Sequence, residues 1–485
     1  MTELYRGLDP ELCRGLDREV AEVLAAWAEL HRRHYVLDRW LVNGRSRQAV
    51  AVVSETDTRD ARNPRTTMLV LKVLSSPSDS VQTIEYARHH QAESERPDFA
   101  RRHLSTFVHD AVPVSARQWI TFQRIAANNL ENTEVLTVLL RRMLHPEELV
   151  DTPKHREIVC RPETFVDACR SIVAGVLGDW AGAPFIPPAA GWDLKMFFGW
   201  HLFDQLEPGG RLAGWASDHD TELIRVEGEP GPLPNPFSVA RGRVLADARI
   251  RPVVGRSHGD LHTDNALVRV RPRVDTDDWF LIDTALYDSV GPLTRDPVHL
   301  LLYVIARSMG DIAPSQQGAL IDLLLDPIDG PGHLVPTWLA DLVRGVNAES
   351  GAWVERSGLA HLWREQTYLS LAACAMLFLG RTSTRDQDKS WFLRLAARAV
   401  ARFAAERGVS VEGAIGDSSP QVVQAANAAK PAVPQSDPEV ESEPSAREKK
   451  PRRQARGAEQ PKYAVKIRES RGGQIGDGNH QINKF

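Results

Sequence analysis

The segment that decides the fold reads Ser257-His258-Gly259-Asp260-Leu261-His262-Thr263-Asp264-Asn265. It carries the carboxylate of Asp260 and, five residues later, the carboxamide of Asn265. An apolar run follows directly, so the pattern predicts a loop that leads into a β-strand. A second apolar run, residues 279–282, ends at another carboxylate, Asp283. We therefore predict two β elements that present Asp260, Asn265 and Asp283 together.

These three side chains suit a site for a hard divalent cation. Mg²⁺ prefers oxygen ligands, takes one or two of them from the protein, and leaves its other positions to water and phosphate. Asn265 and Asp283 are the predicted metal ligands. The remaining carboxylate, Asp260, is then free to accept the proton of an attacking hydroxyl group.

Residues 258–265 match, in their spacing, the H-x-D-L-x-x-x-N catalytic loop of protein kinases. With Gly259 and His262 in their places, the segment looks more like the aminoglycoside phosphotransferase branch of the kinase-like folds. The resemblance covers roughly residues 35–405. It implies an α+β, two-lobed protein-kinase-like fold, with a small β-rich N-lobe and a larger, mainly helical C-lobe. It also implies an enzyme that uses ATP, or another nucleoside triphosphate, and Mg²⁺ to phosphorylate an unknown acceptor.

The same resemblance implies roles for single residues. Lys72, on a predicted strand, stands where such families place the phosphate-binding lysine. Asp283 stands at the metal-binding position, and Asp296 matches an acidic residue that braces the catalytic loop. Asp260 is expected to accept the hydroxyl proton. His258, grouped with Asp260 as catalytic, is expected to brace the loop through hydrogen bonds.

The nucleotide side of the predicted site departs from protein kinases. No G-x-G-x-x-G is present, and Gly44, in a predicted hairpin turn, marks a short, basic nucleotide cover. The acid that pairs with Lys72 is predicted to be Glu85, 13 residues later on a predicted helix, and Glu93 and Glu95 are alternatives. The metal segment reads Asp-Thr-Ala instead of Asp-Phe-Gly, so aromatic gating is not expected.

Other chemistry for the same residues is less favoured. His258 and His262 stand at the i, i+4 interval of a zinc-binding helix, but Gly259 replaces the glutamate that such a helix needs. Lys72 alone is typical of an edge strand, and Asp260 alone is typical of a turn. The spacing of the whole segment favours the phosphotransferase interpretation.

Length, charge and cysteine content narrow the class of protein. The chain has 485 residues, 42% of them hydrophobic, which is enough to bury a sizeable core. Lys plus Arg is 59 and Asp plus Glu is 64, and the net charge of −5 excludes a globally basic nucleic-acid binder. The four cysteines form no CxxC pair, which favours a reducing, cytoplasmic location. The longest apolar run, 368–379, is shorter than the ~20 residues of a spanning helix, so no membrane partner is expected.

The pattern of strands and helices, the resemblance over residues 35–405 and a change in composition near residue 410 together divide the chain into five parts. They are an N-terminal helix (1–34), a kinase-like N-lobe (35–128), a C-lobe (129–410), a linker (411–460) and a C-terminal motif (461–485). No aromatic residue lies between Phe403 and Tyr463, and that stretch is rich in Pro, Ala, Ser and Gln. Such a composition cannot bury enough apolar area to offset the entropy of ordering, so it predicts a disordered linker.

The last residues carry a second pattern. Apolar residues alternate with polar ones, and Gln and Asn concentrate around glycines, which is typical of in-register cross-β stacking. This segment resembles the RIP homotypic interaction motif and, more closely, the bacterial amyloid signalling motifs of immunity-like proteins. The residues predicted to direct self-assembly are Gln474, Ile475, Gly476, Asn479 and Gln481. The predicted partners are copies of this chain or other proteins with the same motif.

Three functions account for these patterns to different extents. The first is a phosphotransferase tethered to an assembly motif in bacterial immunity or conflict signalling, where kinase-like domains of this type also occur. The second is a catalytically weak pseudokinase scaffold or adaptor that signals through its tail. The third is a drug-modifying resistance kinase, which leaves the tail without a role and ranks last.

Overall fold

The computed structural model describes residues 6–41, 49–60, 62–75, 84–125, 131–147, 157–186 and 191–409, and the backbone of Gln421–Val423. Two sets of predicted residues lie outside the described residues. They are the turn glycine Gly44 and the five residues predicted to direct self-assembly, Gln474, Ile475, Gly476, Asn479 and Gln481.

Two helices precede the first strand, where the sequence predicts one. They are α1 (Pro10–Gly15) and α2 (Arg18–Leu30). The backbone is extended at Leu16, and Asp17 starts α2 from an extended N-cap conformation. Gly15 lies against Trp40, and a Cβ there would come within 1.9 Å of the indole ring. The helical periodicity of the sequence therefore continues across a break between two helices.

A five-stranded antiparallel sheet forms the N-terminal lobe. Its strands are β1 (Arg33–Leu41), β2 (Val50–Asp57), β3 (Arg65–Ser75), β4 (Val112–Ser115) and β5 (Gln118–Arg124), in the order β1-β2-β3-β5-β4. Leu69, Leu71 and Val73 of the middle strand β3 pack in one cluster with the apolar side chains of α1 and α2. Because side chains alternate along a strand, Lys72 projects from the other face of the sheet. Helices α3 (Ile84–Glu95) and α4 (Pro97–His103) lie between β3 and β4 in the chain.

The remainder of the described chain is mainly helical. Its helices are α5 (Leu136–Leu144), α6 (Pro162–Gly175), α7 (Leu194–Leu202), α8 (Ala213–Asp218), α9 (Pro236–Ala240), α10 (Arg295–Ser308), α11 (Pro314–Leu325), α12 (Thr337–Glu355), α13 (Ala360–Gly380) and α14 (Asp386–Glu406). A π-helical turn spans Val176–Trp180, and 3-10 turns span Phe203–Leu206, Met309–Asp311 and Gly332–Leu334. These helices enclose the largest apolar core, in which Leu369, Ala372 and Met376 of α13 are fully buried. In the part of the chain that the structure describes, no helix is long and apolar enough to cross a bilayer.

Short strands in this lobe hold the predicted catalytic segment. They are β6 (Thr133–Val135), β7 (Trp192–Asp193), β8 (Leu223–Val226), β9 (Leu233–Pro234), β10 (Arg249–Ile250), β11 (Val254–Ser257), β12 (Ala266–Arg269), β13 (Asp275–Leu281), β14 (Asp288–Pro292) and β15 (Gln421–Val423). Strand β11 pairs with β14, β12 pairs with β13 and β6, and β15 pairs in parallel with β8. The loop 258–265 therefore runs from one small sheet to another. The Ile282 N–H donates to the Asn265 carbonyl at 3.0 Å, which brings the end of β13 to this loop.

The predicted α+β class is confirmed. A small β-rich lobe precedes a larger, mainly helical lobe, and the lysine-bearing strand is the middle strand of the first sheet. The loop with Asp260 and Asn265 and the segment with Asp283 belong to the second lobe.

Candidate active site

The predicted catalytic loop, residues 258–265, is held on both sides of Gly259. Asp296, in the first turn of α10, accepts hydrogen bonds from the N–H groups of His258 at 2.7 Å and Gly259 at 2.9 Å. Burial raises the pKa of Asp296 to about 6, against the effect of these two bonds. The neighbouring Arg295 donates to the Gly259 carbonyl and, at 2.8 Å, to the His201 carbonyl. The loop conformation is thus fixed by two adjacent side chains of one helix.

Gly259 has a steric reason to be glycine. Its φ of +77° lies in the left-handed region, and a Cβ would come within 2.1 Å of the Leu286 carbonyl oxygen. Both features are imposed by the backbone, so a larger residue could not be accommodated by a side-chain movement.

His258 is a structural member of this loop. Its Nε2 lies 3.0 Å from the Ile282 carbonyl, and its Nδ1 lies 3.3 Å from the backbone N–H of Asp260. An N–H can only donate, so Nδ1 accepts and Nε2 carries the proton. Burial lowers the pKa of His258 to about 4, which keeps the ring neutral. Both nitrogens are used on the backbone, so the ring joins the loop to the end of β13.

Asn265 and Asp283 present oxygen atoms suited to a cation. The Asn265 Nδ2 donates to the Asp260 carbonyl at 3.0 Å, but its Oδ1 is buried and has no hydrogen-bond partner among the described residues. A buried acceptor without a partner costs about 1–3 kcal/mol. Burial, and then the nearby Glu85 carboxylate, raise the pKa of Asp283, while Lys72 opposes them. Both features fit Mg²⁺, which would give the free oxygen a partner and offset the crowded negative charge.

Lys72 and Glu85 form a buried ion pair. The Lys72 Nζ lies 3.0 Å from the Glu85 Oε1, and the two side chains are 2% and 11% exposed. Strand β3 supplies the lysine and the first turn of α3 supplies the acid. The Lys72 charge opposes the rise in the pKa of Asp283, as expected for an ammonium group close to that carboxyl group.

The alternative acids, Glu93 and Glu95, have other partners. Glu95 accepts from Arg256 at 2.7 Å and from the Tyr287 hydroxyl at 3.0 Å. Glu93 lies on the more exposed side of α3, 3.6 Å from His90. Of the three acids considered from the sequence, the structure places Glu85 on the lysine.

Helix α3 makes a second contact with the site that the sequence did not indicate. His89, one turn after Glu85, has its Nδ1 3.2 Å from the Thr284 hydroxyl, next to Asp283. Burial lowers the pKa of His89 to about 3, so the ring is neutral. The i, i+4 interval from Glu85 was the available signal, because it puts both side chains on one helix face.

Asp260 lies among basic side chains. Its carboxylate is 14% exposed, with His262 Nε2 3.6 Å from one oxygen and His299 Nδ1 3.5 Å from the other. The Arg381 guanidinium lies 4.0 Å from the second oxygen. His299 and Arg381 come from α10 and the end of α13, and sequence reasoning missed both because no local motif marks them.

A buried carboxylate supports the loop from behind. Asp264 accepts hydrogen bonds from Thr137 and Tyr303, and from Arg307 at 3.1 Å. Burial alone would raise the pKa of Asp264, but Arg307, His262 and these hydrogen bonds outweigh it and lower the pKa to about 2. The loop is therefore anchored to α5 and α10 by an ionised aspartate.

Comparison with known proteins gives weak similarities only. No family model and no curated relative matches the sequence. Among solved structures, a provisionally assigned aminoglycoside phosphotransferase from Ralstonia eutropha JMP134 is similar at 14% identity, over 80% of this chain and 98% of that one, with a TM-score of 0.37. A glucosamine kinase in complex with glucosamine, ADP and inorganic phosphate is similar at 12% identity, over 81% of this chain and 87% of that one, with a TM-score of 0.37. A second crystal form of glucosamine kinase gives 12% identity, 79% and 100% coverage, and a TM-score of 0.34.

Proposed function

We propose that this protein transfers a phosphoryl group from ATP, or another nucleoside triphosphate, to a hydroxyl group of an acceptor. The observation that carries the proposal is the Lys72–Glu85 ion pair, which helix α3 joins through the contact from His89 to Thr284 to the segment that holds Asp283. An ammonium group, a buried metal-type carboxylate and a second carboxylate in one place are what phosphoryl transfer requires.

Each group has a distinct task in this proposal. Lys72, oriented by Glu85, would bind phosphate oxygens. Asn265 Oδ1 and the Asp283 carboxylate would hold Mg²⁺, which when bound would neutralise charge on the phosphates. Asp260 would accept the hydrogen bond, and then the proton, of the acceptor hydroxyl.

Positioning and charge would supply most of the rate enhancement, because phosphoryl transfer needs little covalent help from the protein. The loop fits that requirement. Hydrogen bonds to Asp296 and Arg295 fix its backbone, and both ring nitrogens of His258 contact backbone groups. We further propose that the cover over the nucleotide includes Gly44, which the sequence predicts to lie in a turn.

The C-terminal motif adds a proposal that rests on the sequence. Residues 474–481 would join copies of this chain, or other carriers of the motif, in cytoplasmic assemblies of immune or conflict signalling. Tethering of catalytic domains in an assembly raises their local concentration. A chain that assembles without phosphoryl transfer would be the scaffold or adaptor considered as the alternative.

The proposed function is tested with the full chain, MgATP and the Asp283→Asn variant. We expect MgATP to raise the melting temperature of the wild type, and ADP to form slowly with water as acceptor. Both effects should be lost in Asp283→Asn and kept in Asp329→Asn, a matched change at an exposed loop position. No rise with any nucleotide, with or without Mg²⁺, would contradict the proposed function.

A further inference from the structure

The side chains around Asp260 include a row of two residues, Arg381 and His299, that the catalytic-loop motif does not contain. Arg381 donates a hydrogen bond to His299, and the His299 Nδ1 faces Asp260 at 3.5 Å, where it has no hydrogen-bond partner among the described residues. All three groups are nearly or fully buried, with side-chain exposures of 10%, 0% and 14%. The inference drawn from them deepens the proposed function and relies on it for the role of Asp260.

The proton on His299 can be located from its neighbours. Arg381 lies 2.9 Å from the His299 Nε2, and a guanidinium can only donate hydrogen bonds. Nε2 must therefore be the accepting nitrogen. The ring is neutral because burial, and then the Arg381 charge, lower the pKa of His299. In a neutral ring whose Nε2 accepts, the proton is on Nδ1, the nitrogen that faces Asp260.

His262 faces the other carboxylate oxygen in the same way. The backbone N–H of Asp264 donates to the His262 Nδ1 at 3.1 Å, so its Nε2 carries a proton toward Asp260. The His262 ring is stacked on Tyr303, with 4.3 Å between centroids and 11° between planes. Asp260 is therefore flanked by two N–H groups, one for each oxygen.

Arg381 has an electrostatic reason to lie here. Burial lowers the pKa of Arg381, while the charge of Asp260 opposes that effect. Its guanidinium lies over the Phe378 and Tyr303 rings, at 4.4 Å and 5.4 Å from their centroids. A buried cation is costly unless it is paired, and Asp260 is a carboxylate within 4.0 Å of it.

We propose that His299 is a positioning residue for the phosphoryl-transfer reaction, with Arg381 fixing its Nδ1–H tautomer. The Nδ1–H would restrict the rotation of the Asp260 carboxylate and so hold it in one orientation toward the acceptor hydroxyl. The separation of 3.5 Å is longer than a good hydrogen bond, and contacts of this kind tighten when the reacting groups are bound. His299 does not itself touch the transferred group.

The first test is spectroscopic and needs no turnover. The full chain is labelled with ring-¹⁵N histidine, and the His299 signals are identified by their loss in His299→Asn. We expect a neutral ring with the proton on Nδ1 in the wild type, and loss of that preference in Arg381→Met. A proton on Nε2, or on both nitrogens, in the wild type would overturn the proposal.

The second test compares two substitutions of His299 in the MgATP hydrolysis assay. His299→Leu removes the N–H, whereas His299→Asn can place an amide N–H near the position of Nδ1. We expect His299→Leu to lower kcat about 10–100-fold with little change in the KM for ATP, and His299→Asn to recover most of the loss. Equal kcat values for both variants, with wild-type melting temperatures, would overturn the proposal.

The two tests separate the inference from the proposed function. If the wild type neither binds nor hydrolyses MgATP, the proposed function fails, and with it the positioning role. The tautomer measurement still decides whether Arg381 sets the proton of His299. If the wild type hydrolyses MgATP but His299→Leu does so at the same rate, the inference alone fails.

Discussion

At the scale of single residues, Gly259 shows how closely the catalytic loop is packed. Its left-handed φ and the neighbouring Leu286 carbonyl both disfavour a side chain, but they are separate penalties. Left-handed backbone costs a non-glycine residue roughly 1–2 kcal/mol, and a contact of 2.1 Å with backbone requires the loop to move. The loop geometry therefore depends on this position directly.

We predict that Gly259→Ala destabilises the protein by about 3–4 kcal/mol and abolishes ATP turnover. Gly209→Ala is the matched control, because Gly209 has a φ of +89° and a Cβ added there would meet no described atom within 4 Å. Gly209→Ala should lower the free energy of unfolding by only about 1 kcal/mol, which is the cost of the left-handed backbone conformation alone. Urea unfolding of both variants measures the difference, and equal losses of stability would show that the Leu286 contact is unimportant.

A second residue-scale prediction concerns pH and Asp264. Its folded pKa of about 2 lies below the value of about 3.9 in an unfolded chain. The ionised form of Asp264 therefore stabilises the folded protein above pH 4, by about 2–3 kcal/mol at neutral pH. This stabilisation is lost as the pH falls toward 2. We expect the gap in unfolding free energy between wild type and Asp264→Asn to shrink between pH 5 and 3.

The change of that gap with pH isolates the ionisation from other effects of the substitution. The exposed change Asp329→Asn should give a gap that is small at every pH. A gap for Asp264→Asn that stays constant from pH 7 to 3 would show that Asp264 is not held ionised by Arg307 and its neighbours.

At the scale of elements, helix α3 connects two parts of the site. Glu85 pairs with Lys72, and His89 on the same face contacts Thr284 beside Asp283. A shift of this helix would disturb Lys72, the proposed phosphate-binding residue, and the proposed metal-binding segment at Asp283 together. In the Asp-Thr-Ala segment, Thr284 stands where protein kinases have phenylalanine. A polar contact, from His89 to Thr284, therefore joins this segment to helix α3.

We predict that Thr284→Val destabilises the protein by about 1–2 kcal/mol, because it leaves the buried His89 Nδ1 without its partner. It should also lower kcat for MgATP hydrolysis more than it changes KM. Thr284→Ser keeps the hydroxyl group and should behave like the wild type. Equal melting temperatures and equal kcat values for Thr284→Val and Thr284→Ser would show that the contact between His89 and Thr284 contributes to neither stability nor turnover.

The elements also show what the sequence can and cannot indicate. Lys72, the loop 258–265 and Asp283 could be predicted because local alternation and short-range spacing mark them. The partners of Asp260 could not, because His299 and Arg381 reach it through the packing of α10 and α13. The break at Leu16 is likewise not marked by the sequence pattern, because the apolar spacing of the two helices continues across it.

At the scale of the whole molecule, both lobes contribute to the candidate site. The N-terminal lobe supplies Lys72 and Glu85, and the helical lobe supplies Asp260, Asn265 and Asp283. The two lobes are also joined by Glu95 of the N-terminal lobe, which accepts hydrogen bonds from Arg256 and Tyr287 of the helical lobe. The proposed assembly through the C-terminal motif, in contrast, would need no residue of this site.

We therefore predict that nucleotide binding and assembly can be separated in the full chain. Gly476→Val combined with Asn479→Asp should abolish thioflavin-positive fibres and leave the MgATP-induced rise in melting temperature unchanged. Asp283→Asn should abolish the MgATP-induced rise in melting temperature and leave the thioflavin-positive fibres unchanged. A wild-type chain that remains monomeric in sedimentation at high concentration would contradict the assembly proposal.

The position of Lys72 in the middle of the sheet has a consequence for tolerated insertions and deletions. It is paired in register with Val50 of β2 and Thr121 of β5. Adding or removing one residue within β3 would turn the lysine toward the apolar cluster under α1 and α2 and turn a leucine or valine toward the site. Point substitutions of neighbouring apolar residues preserve this orientation. Insertions and deletions should therefore be tolerated in the connection between β2 and β3, and should abolish function when they fall within β3.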